Sequence, residues 1–334
     1  MNIGSRGDTA HSYAMQSRNA ALKQDMQRLT LEISTGQVAD IRTALAGNVA
    51  YLNDLDRSLT KLDGYKLAGL EAQQFADGVQ TALGRISDLN ASFRDSLLTA
   101  TNSALGDGTT GLQSTARDKL DQTISALNTQ VSGRTLFAGT ATNVQPIASV
   151  DDLLTGLRAA VTGAVTVDDI FIAAQAWFDD PAGFGTTGYL GSDTALAPVA
   201  LSDSDSVGFK LRGDDTVLRD TLRNLALMAM ADDPALSLNN TQKSELLQKT
   251  MTNVFANVDD VIQLRATVGT SEAHIETATV RQSSERSALE MARNNLLSVD
   301  PFEAATELEQ VQFQLQSLYA ITARSSQLSL VNYL

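Results

Sequence analysis

The placement of proline restricts this chain to long helices at both ends and a different structure between them. The five prolines lie at residues 146, 181, 198, 234 and 301. A proline in a helix interior costs about 3 kcal/mol, so the proline-free ranges 1–145 and 235–300 permit long uninterrupted helices. Glycine agrees with this division, because ten of the 22 glycines lie between Gly133 and Gly213. The sequence therefore predicts a helical arm, a compact middle and a second helical arm.

Both arms carry apolar residues at alternating steps of three and four. In the first arm these residues are Leu22, Met26, Leu29 and Ile33, followed by Phe75, Val79, Ala82, Ile86, Leu89 and Phe93. In the second arm they are Met251, Val254, Val258 and Val261, followed by Leu308, Val311, Leu315 and Leu318. This spacing places an apolar seam on one side of each helix, and a second helix must cover it. We predict a mainly α fold with long antiparallel coiled-coil arms built from both termini.

The spacing does not decide which helix covers each seam. One interpretation is a helical bundle that buries its seams internally. The other is a neighbouring copy that supplies the partner helix. We expect an assembly seam in which the four residues from Leu22 to Ile33 pack against the four from Leu308 to Leu318, within or between copies. We also expect the seams near both ends to be fully covered only when several copies assemble.

The last helix has a marked start and an unusual surface. Asp300 can cap it, Pro301 fits its first turn, and Glu303 places negative charge near the positive end of the helix dipole. Between Gln310 and Leu334, Arg324 is the only charged side chain. Gln, Ser and Thr fill the other polar positions, which suits close uncharged contacts in an assembly. The alternative interpretation is that this last segment is a frayed tail without contacts.

The middle of the chain is predicted to be a small, acidic α/β insertion. The ranges 150–162 and 166–178 are predicted helices, and the stretch that begins with GFGTTG is predicted to form short strands and turns. Residues 146–215 hold 3 basic and 11 acidic residues, a net charge of −8. We divide the chain into terminal helices (1–40 with 300–334), a central helical bundle (41–145 with 215–299) and an outward-facing insertion (146–214).

Composition excludes several classes of function. The net charge is −14 and no cluster of Lys and Arg exists, which argues against nucleic acid as a partner. There is no cysteine, so disulfides, thiolate nucleophiles and cysteine-bound metals are excluded. No apolar run of about 18 residues predicts a membrane span. The first residues lack an apolar core and a cleavage site, so we expect no cleaved signal peptide.

Motifs that would indicate enzymatic chemistry are weak. GFGTTG at 183–188 matches a dinucleotide-binding pattern, but a predicted helix precedes it where that fold needs a strand. His11 and His274 are the two histidines, and neither belongs to a zinc or Ser-His-Asp motif. Paired aspartates along the chain are typical of helix caps and turns. We predict no enzyme and no catalytic, cofactor-binding or metal-binding residues, and we expect no cofactor.

A calcium loop is the nearest match to a metal site. Asp203, Asp205, Gly208 and Asp214 stand where positions 1, 3, 6 and 12 of such a loop would be. Val207 stands at position 5 and offers no side-chain oxygen, so a surface hairpin is the better interpretation.

Three stretches resemble the bacterial flagellin superfamily. They are LTLEISTGQVAD at 29–40, VSGRTLFAGTATNVQP at 131–146 and the final LEQVQFQLQSLYAITARSSQLSLVNYL at 308–334. The SGRTLFAG segment and the small middle resemble the hook-associated branch at the hook–filament junction more than filament flagellin. The short run 41–45 departs from flagellins, which often have a longer polar stretch there.

The resemblance implies a structural subunit that joins the flagellar hook to the filament by helical self-packing in a tubular assembly. It implies a homo-oligomeric ring, a hook-side hook-associated protein, filament flagellin and a flagellar export chaperone and apparatus as partners. It also implies an extracellular location on the bacterial flagellum, reached by export without a cleaved signal. Filament flagellin is the first alternative, and a cytoplasmic coiled-coil adaptor is the second. An enzyme in the acidic middle, such as a glycan hydrolase, is a further alternative.

Overall fold

A computed structural model of the chain describes residues 4–102 and 111–331, with side chains from 10 to 101 and from 111 to 324. The helices in these ranges are α1 (Gly4–Thr35), α2 (Ile41–Ala44), α3 (Ala50–Asn102), α4 (Leu112–Leu127), α5 (Val150–Val161), α6 (Val167–Asp179), α7 (Phe184–Thr187), α8 (Thr216–Ala229), α9 (Asn240–Leu297) and α10 (Pro301–Val331). Two antiparallel pairs of two-residue strands complete the fold: β1 (Gln130–Val131) with β2 (Arg134–Thr135), and β3 (Val199–Ala200) with β4 (Ser206–Val207). The predicted mainly α fold with a small insertion is confirmed.

The described residues form two compact units. One unit takes its residues from 1–63 and 283–334, and the other takes them from 64–282. Helices α3 and α9 contribute residues to both units. We predicted three domains, with boundaries after residues 40, 145, 214 and 299. That division concerns the layers of an assembly, and it stays a prediction.

The periodic seams of α3 and α9 lie in the core of the larger unit. Val79, Ile86 and Phe93 of α3 are buried in one apolar cluster with Val254 and Val261 of α9. Helix α8 is buried over most of its length and packs against α4 in the same unit. The steps of three and four in the sequence therefore mark the buried faces of these helices.

Polar side chains in this core join three helices. The Asn257 Oδ1 accepts hydrogen bonds from Asn90 Nδ2 and from Thr221 Oγ1, each at 2.7 Å. The Asn257 Nδ2 donates to the carbonyl oxygen of Val217 at 3.0 Å. Asn90, Thr221 and Asn257 are each at most 3% exposed. A shift of α3, α8 or α9 along its axis would leave these buried groups unpaired, so they favour a single register.

The insertion begins with the two helices that the sequence predicts. Ser149 caps α5, and Thr166 forms a capping box with Asp169 at the start of α6. The paired aspartates at 151–152 and 168–169 lie in first turns, as expected for residues that favour helix starts.

The GFGTTG segment differs from its prediction as strands and turns. Residues 184–187 form the short helix α7, and the preceding element is helix α6. Phe184 is buried, with its ring centroid 5.0 Å from that of Phe178. A Cβ on Gly183 would lie 2.6 Å from the carbonyl oxygen of Trp177. These glycines permit close packing of a helical turn. A dinucleotide-binding loop follows a strand, whereas this segment follows helix α6.

The β3–β4 hairpin and the residues that flank it, 199–209, form a segment that we name the strap. Leu201, Val207 and Phe209 of the strap are buried against a cluster from α3 and α9 that contains Ala72, Ala76, Ile275 and Ala278. Gln282 Nε2 donates to the carbonyl oxygen of Leu201 at 2.6 Å. The strap therefore holds the insertion against both long helices of the larger unit.

The aspartates of the strap are occupied by neighbouring side chains. The Tyr65 hydroxyl donates to Asp203 Oδ1 at 2.6 Å. Asp205 lies 2.7 Å from an Arg281 guanidinium nitrogen and 2.9 Å from His274 Nε2. Two members of the calcium-loop pattern thus bind side chains of α3 and α9.

Truncation of a buried leucine in α3 should destabilise the larger unit. Leu83 is fully buried, so Leu83→Ala should lower the free energy of unfolding by about 2–5 kcal/mol, measured by urea unfolding followed by circular dichroism. Leu67→Ala in the same helix is the matched control, because Leu67 is 61% exposed. Equal losses for both variants would contradict the assignment of the buried face.

The strap should lose stability in acid. The hydrogen bond from Arg281, together with His274, holds the pKa of Asp205 below its usual value of 3.8. A lowered pKa in the folded state stabilises the fold above the unfolded-state value, and this contribution is lost as the pH falls through the folded-state value. Asp205→Asn should lower the thermal midpoint near neutral pH, and the difference from wild type should shrink below about pH 4. Asp88→Asn, at an exposed position of α3, is the control, and a difference that stays constant with pH would contradict this prediction.

Candidate assembly surface

Helices α1 and α10 pack against each other as an antiparallel pair, which we name the terminal hairpin. Leu22, Leu315 and Leu318 form its buried cluster, and Met15, Met26 and Val311 pack against them. The structure thus brings together five of the eight residues of the predicted assembly seam. Their spacing of three and four places them on the facing sides of the two helices.

The other three seam residues lie in different surroundings. Leu29 is buried, and Leu308 is half-buried. Ile33 is 37% exposed, close to the end of α1. We expected full cover for the terminal seams only between stacked copies, whereas the structure covers most of this seam within one chain. The physical reason is that the two helices run antiparallel with their apolar sides facing, so each supplies the partner of the other.

In the part of the chain that the structure describes, a second set of apolar side chains on the terminal hairpin stays largely exposed. Phe302 is 83% exposed, Tyr13 76% and Phe313 70%. Leu31, Tyr319 and Ile321 are also about half exposed. Large apolar patches that remain exposed on one chain are typical of contact surfaces. These residues lie outside the apolar repeat of three and four, so the repeat did not predict their role. The signal in the sequence is the scarcity of charged residues after Glu309, which indicates a helix face that contacts protein.

The base of the terminal hairpin is a joint where two segments of the chain meet. The amide of Val38 donates to the Leu297 carbonyl oxygen at 2.9 Å, and that of Val299 donates to the Gly36 carbonyl oxygen at 3.1 Å. Gly36 has a φ of +69°, a conformation that favours glycine and ends α1. The end of α1 is thereby tied to the end of α9.

Side chains fix both helix ends at this joint. Glu32 is 6% exposed, and its carboxylate accepts from the Ala39 amide at 3.0 Å and from Arg28 at 2.9 Å. Asp300 Oδ1 accepts from the Phe302 amide at 2.8 Å, which confirms the predicted cap of α10. The end of α1 and the start of α10 are therefore both fixed at the base of the hairpin.

The titratable side chains of the described residues do not gather into a metal site. Among those residues, no three His, Cys, Asp or Glu side chains come together as metal ligands. His11 lies on α1, and His274 lies on α9 beside Asp205. Across the same residues, no helix is both long and apolar enough to cross a membrane. The features that stand out are packing surfaces of long helices.

Paired terminal helices around an unrelated insertion define a structural protein built from long packed helices. The family described as bacterial flagellin N-terminal helical region matches residues 8–142, and the one described as bacterial flagellin C-terminal helical region matches residues 251–334. The chain belongs to the bacterial flagellin family and is a structural protein of the flagellum.

Two solved structures share the fold. One is FlgL of Bacillus cereus, with 14% identity and a TM-score of 0.53, covering 72% of this chain and 99% of FlgL. The other is a Vibrio parahaemolyticus protein described as a flagellar hook-associated protein, with 14% identity and a TM-score of 0.51, covering 75% of this chain and 99% of that protein. No curated protein matches the sequence. At this identity the likeness concerns the fold.

A charge in the seam should separate the two helices of the terminal hairpin. Leu315 is 6% exposed, so Leu315→Asp buries an unpaired carboxylate and should cost several kcal/mol. We expect limited proteolysis to cleave α1 and α10 while the larger unit stays resistant. Gln316→Asp adds the same charge at an exposed neighbouring position and should leave the cleavage pattern unchanged. Equal resistance of both variants would contradict the assigned packing.

Proposed function

We propose that this protein joins the flagellar hook to the filament. The observation that carries the proposal is the match of its fold to nearly the whole length of two proteins described as hook-associated or FlgL. The flagellin-type terminal regions and the small insertion between them support it. In this role the chain forms a homo-oligomeric ring between a hook-side hook-associated protein and filament flagellin.

The terminal hairpin is the part of the chain that packs copies together in this proposal. Residues 1–40 and 300–334 form the inner layer of a tube, residues 41–145 with 215–299 form the next layer, and residues 146–214 face outward. The assembly seam (Leu22, Met26, Leu29 and Ile33 with Leu308, Val311, Leu315 and Leu318) holds the hairpin together, so that its exposed side chains can contact neighbours. The exposed aromatic residues of the hairpin support this arrangement.

Export is the route by which the chain reaches its site in this proposal. The sequence contains no cysteine, so no disulfide hinders passage as an unfolded chain through a narrow channel. We propose that a flagellar export chaperone and the export apparatus deliver it without cleavage of a signal. The protein then lies outside the cell on the flagellum and works through packing, with no cofactor.

Removal of the gene from its native cells tests the proposal. We expect cells that still build hooks but release flagellin into the medium and swim poorly. Electron microscopy of gold-labelled protein on isolated flagella should place the label at one point, between hook and filament. A label along the whole filament would instead identify the protein as filament flagellin, and protein that stays in the cytoplasm would favour a coiled-coil adaptor.

The seam variants give this test a matched pair. Cells that carry Leu315→Asp should lose filaments because the terminal hairpin no longer presents its outer surface. Cells that carry Leu315→Met, which keeps an apolar side chain of similar volume in the seam, should keep them. Normal filaments in the Leu315→Asp strain would count against a role for the hairpin in attachment.

A further inference from the structure

Towards its free end, the terminal hairpin carries a groove lined by apolar side chains and by one arginine. Its volume is about 470 Å³, and it lies between α1 and α10. His11 and Arg18 line it from α1, and Phe313 and Ile321 line it from α10. Phe313 is 70% exposed and Ile321 is 53% exposed, so the apolar wall is open to solvent. No carboxylate is among the residues that line the groove in the described part of the hairpin.

The base of the same hairpin carries the complementary features. Phe302, in the first turn of α10, is 83% exposed and projects a large apolar ring. Glu303, Glu307 and Glu309 are exposed on the first three turns of the same helix. The hairpin thus has an aromatic side chain with acidic neighbours at its base and an apolar groove with a cationic neighbour, Arg18, near its free end.

We propose that the groove binds a second copy of this chain, which inserts Phe302 and its flanking glutamates beside Arg18. The proposal rests on the proposed function, because it requires copies that assemble side by side. It names the contact between them: Phe302 packs against Phe313 and Ile321, while the acidic turns of one copy face Arg18 of the next.

The occupant must come from another molecule. Phe302 and Phe313 are 11 residues apart on one continuous helix, which is a separation of about 16 Å. A chain therefore cannot place its own Phe302 in its own groove. A second copy, displaced by about 16–29 Å along the helix axis, brings its Phe302 level with the groove.

The contact is heterologous, because the base of one hairpin meets the free end of the next. Each copy keeps an unused groove at one side and an unused Phe302 at the other, so the same contact can repeat around a ring or along a tube. Opposite charges also guide the copies into this stagger, since a stagger that aligns like ends would bring the glutamates together.

Cysteine cross-linking tests the stagger, and the chain has no cysteine of its own to interfere. Ala14 lines the groove, and Thr306 lies one turn after Phe302 on α10. Within one chain these positions are more than about 20 Å apart along the hairpin, far beyond the roughly 7 Å that a disulfide can span between Cα atoms. Flagella isolated from cells whose only copy carries Ala14→Cys and Thr306→Cys should therefore yield covalent multimers upon oxidation.

A matched pair serves as the control. Gln16→Cys with Thr306→Cys places the cysteine on α1 outside the groove and should give few multimers. If the Ala14 pair is present in flagella but does not cross-link, or if the Gln16 pair cross-links equally, this stagger is wrong while the junction function stands. If the wild-type protein is absent from isolated flagella, both the junction function and the stagger are overturned.

Charge exchange tests the electrostatic part of the contact. In the Ala14–Thr306 cysteine background, Arg18→Glu should lower the yield of multimers about tenfold, and so should Glu303→Lys with Glu307→Lys. The chain that carries all three charge changes should recover the yield, because each groove then carries a glutamate that meets lysines. Failure of the combined variant to recover, while circular dichroism shows a folded hairpin, would overturn the contact.

Discussion

The structure depends on one constraint: a long helix with an apolar seam is unstable in water until a second helix covers that seam. In this chain the covering helix comes from the same molecule. Helix α10 covers the seam of α1, and α9 shares the core of the larger unit with α3. The insertion is then confined to the turn between outgoing and returning arms.

Much of this architecture could be predicted because its causes are local. Proline spacing, the repeats of three and four and the cap at Asp300 each depend on residues within a few turns of one another. The hairpin of the strap was predicted, but its attachment to α3 was not, because the bond between Tyr65 and Asp203 joins residues 138 positions apart. The covered seam of the terminal hairpin was expected to need other copies, since spacing alone does not distinguish a partner in the same chain from one in a neighbour. The outer aromatic residues were missed because they do not follow the repeat.

This fold is compatible with very different amino-acid sequences. Identity to the two solved structures is 14%, yet the helices follow the same course over nearly the whole of those proteins. Helix pairing demands apolar residues at a given spacing and tolerates many side chains at each position. Individual polar groups, such as the Asn90–Asn257 pair, add the register that apolar packing leaves loosely defined.

The joint at the base of the terminal hairpin has a mechanical consequence. Two segments of the chain pass side by side through this joint. They are linked by two backbone hydrogen bonds, one between Val38 and Leu297 and one between Val299 and Gly36. A pull along the helix axes that separates the two segments therefore loads both bonds together. Such a connection resists separation better than a single flexible linker would.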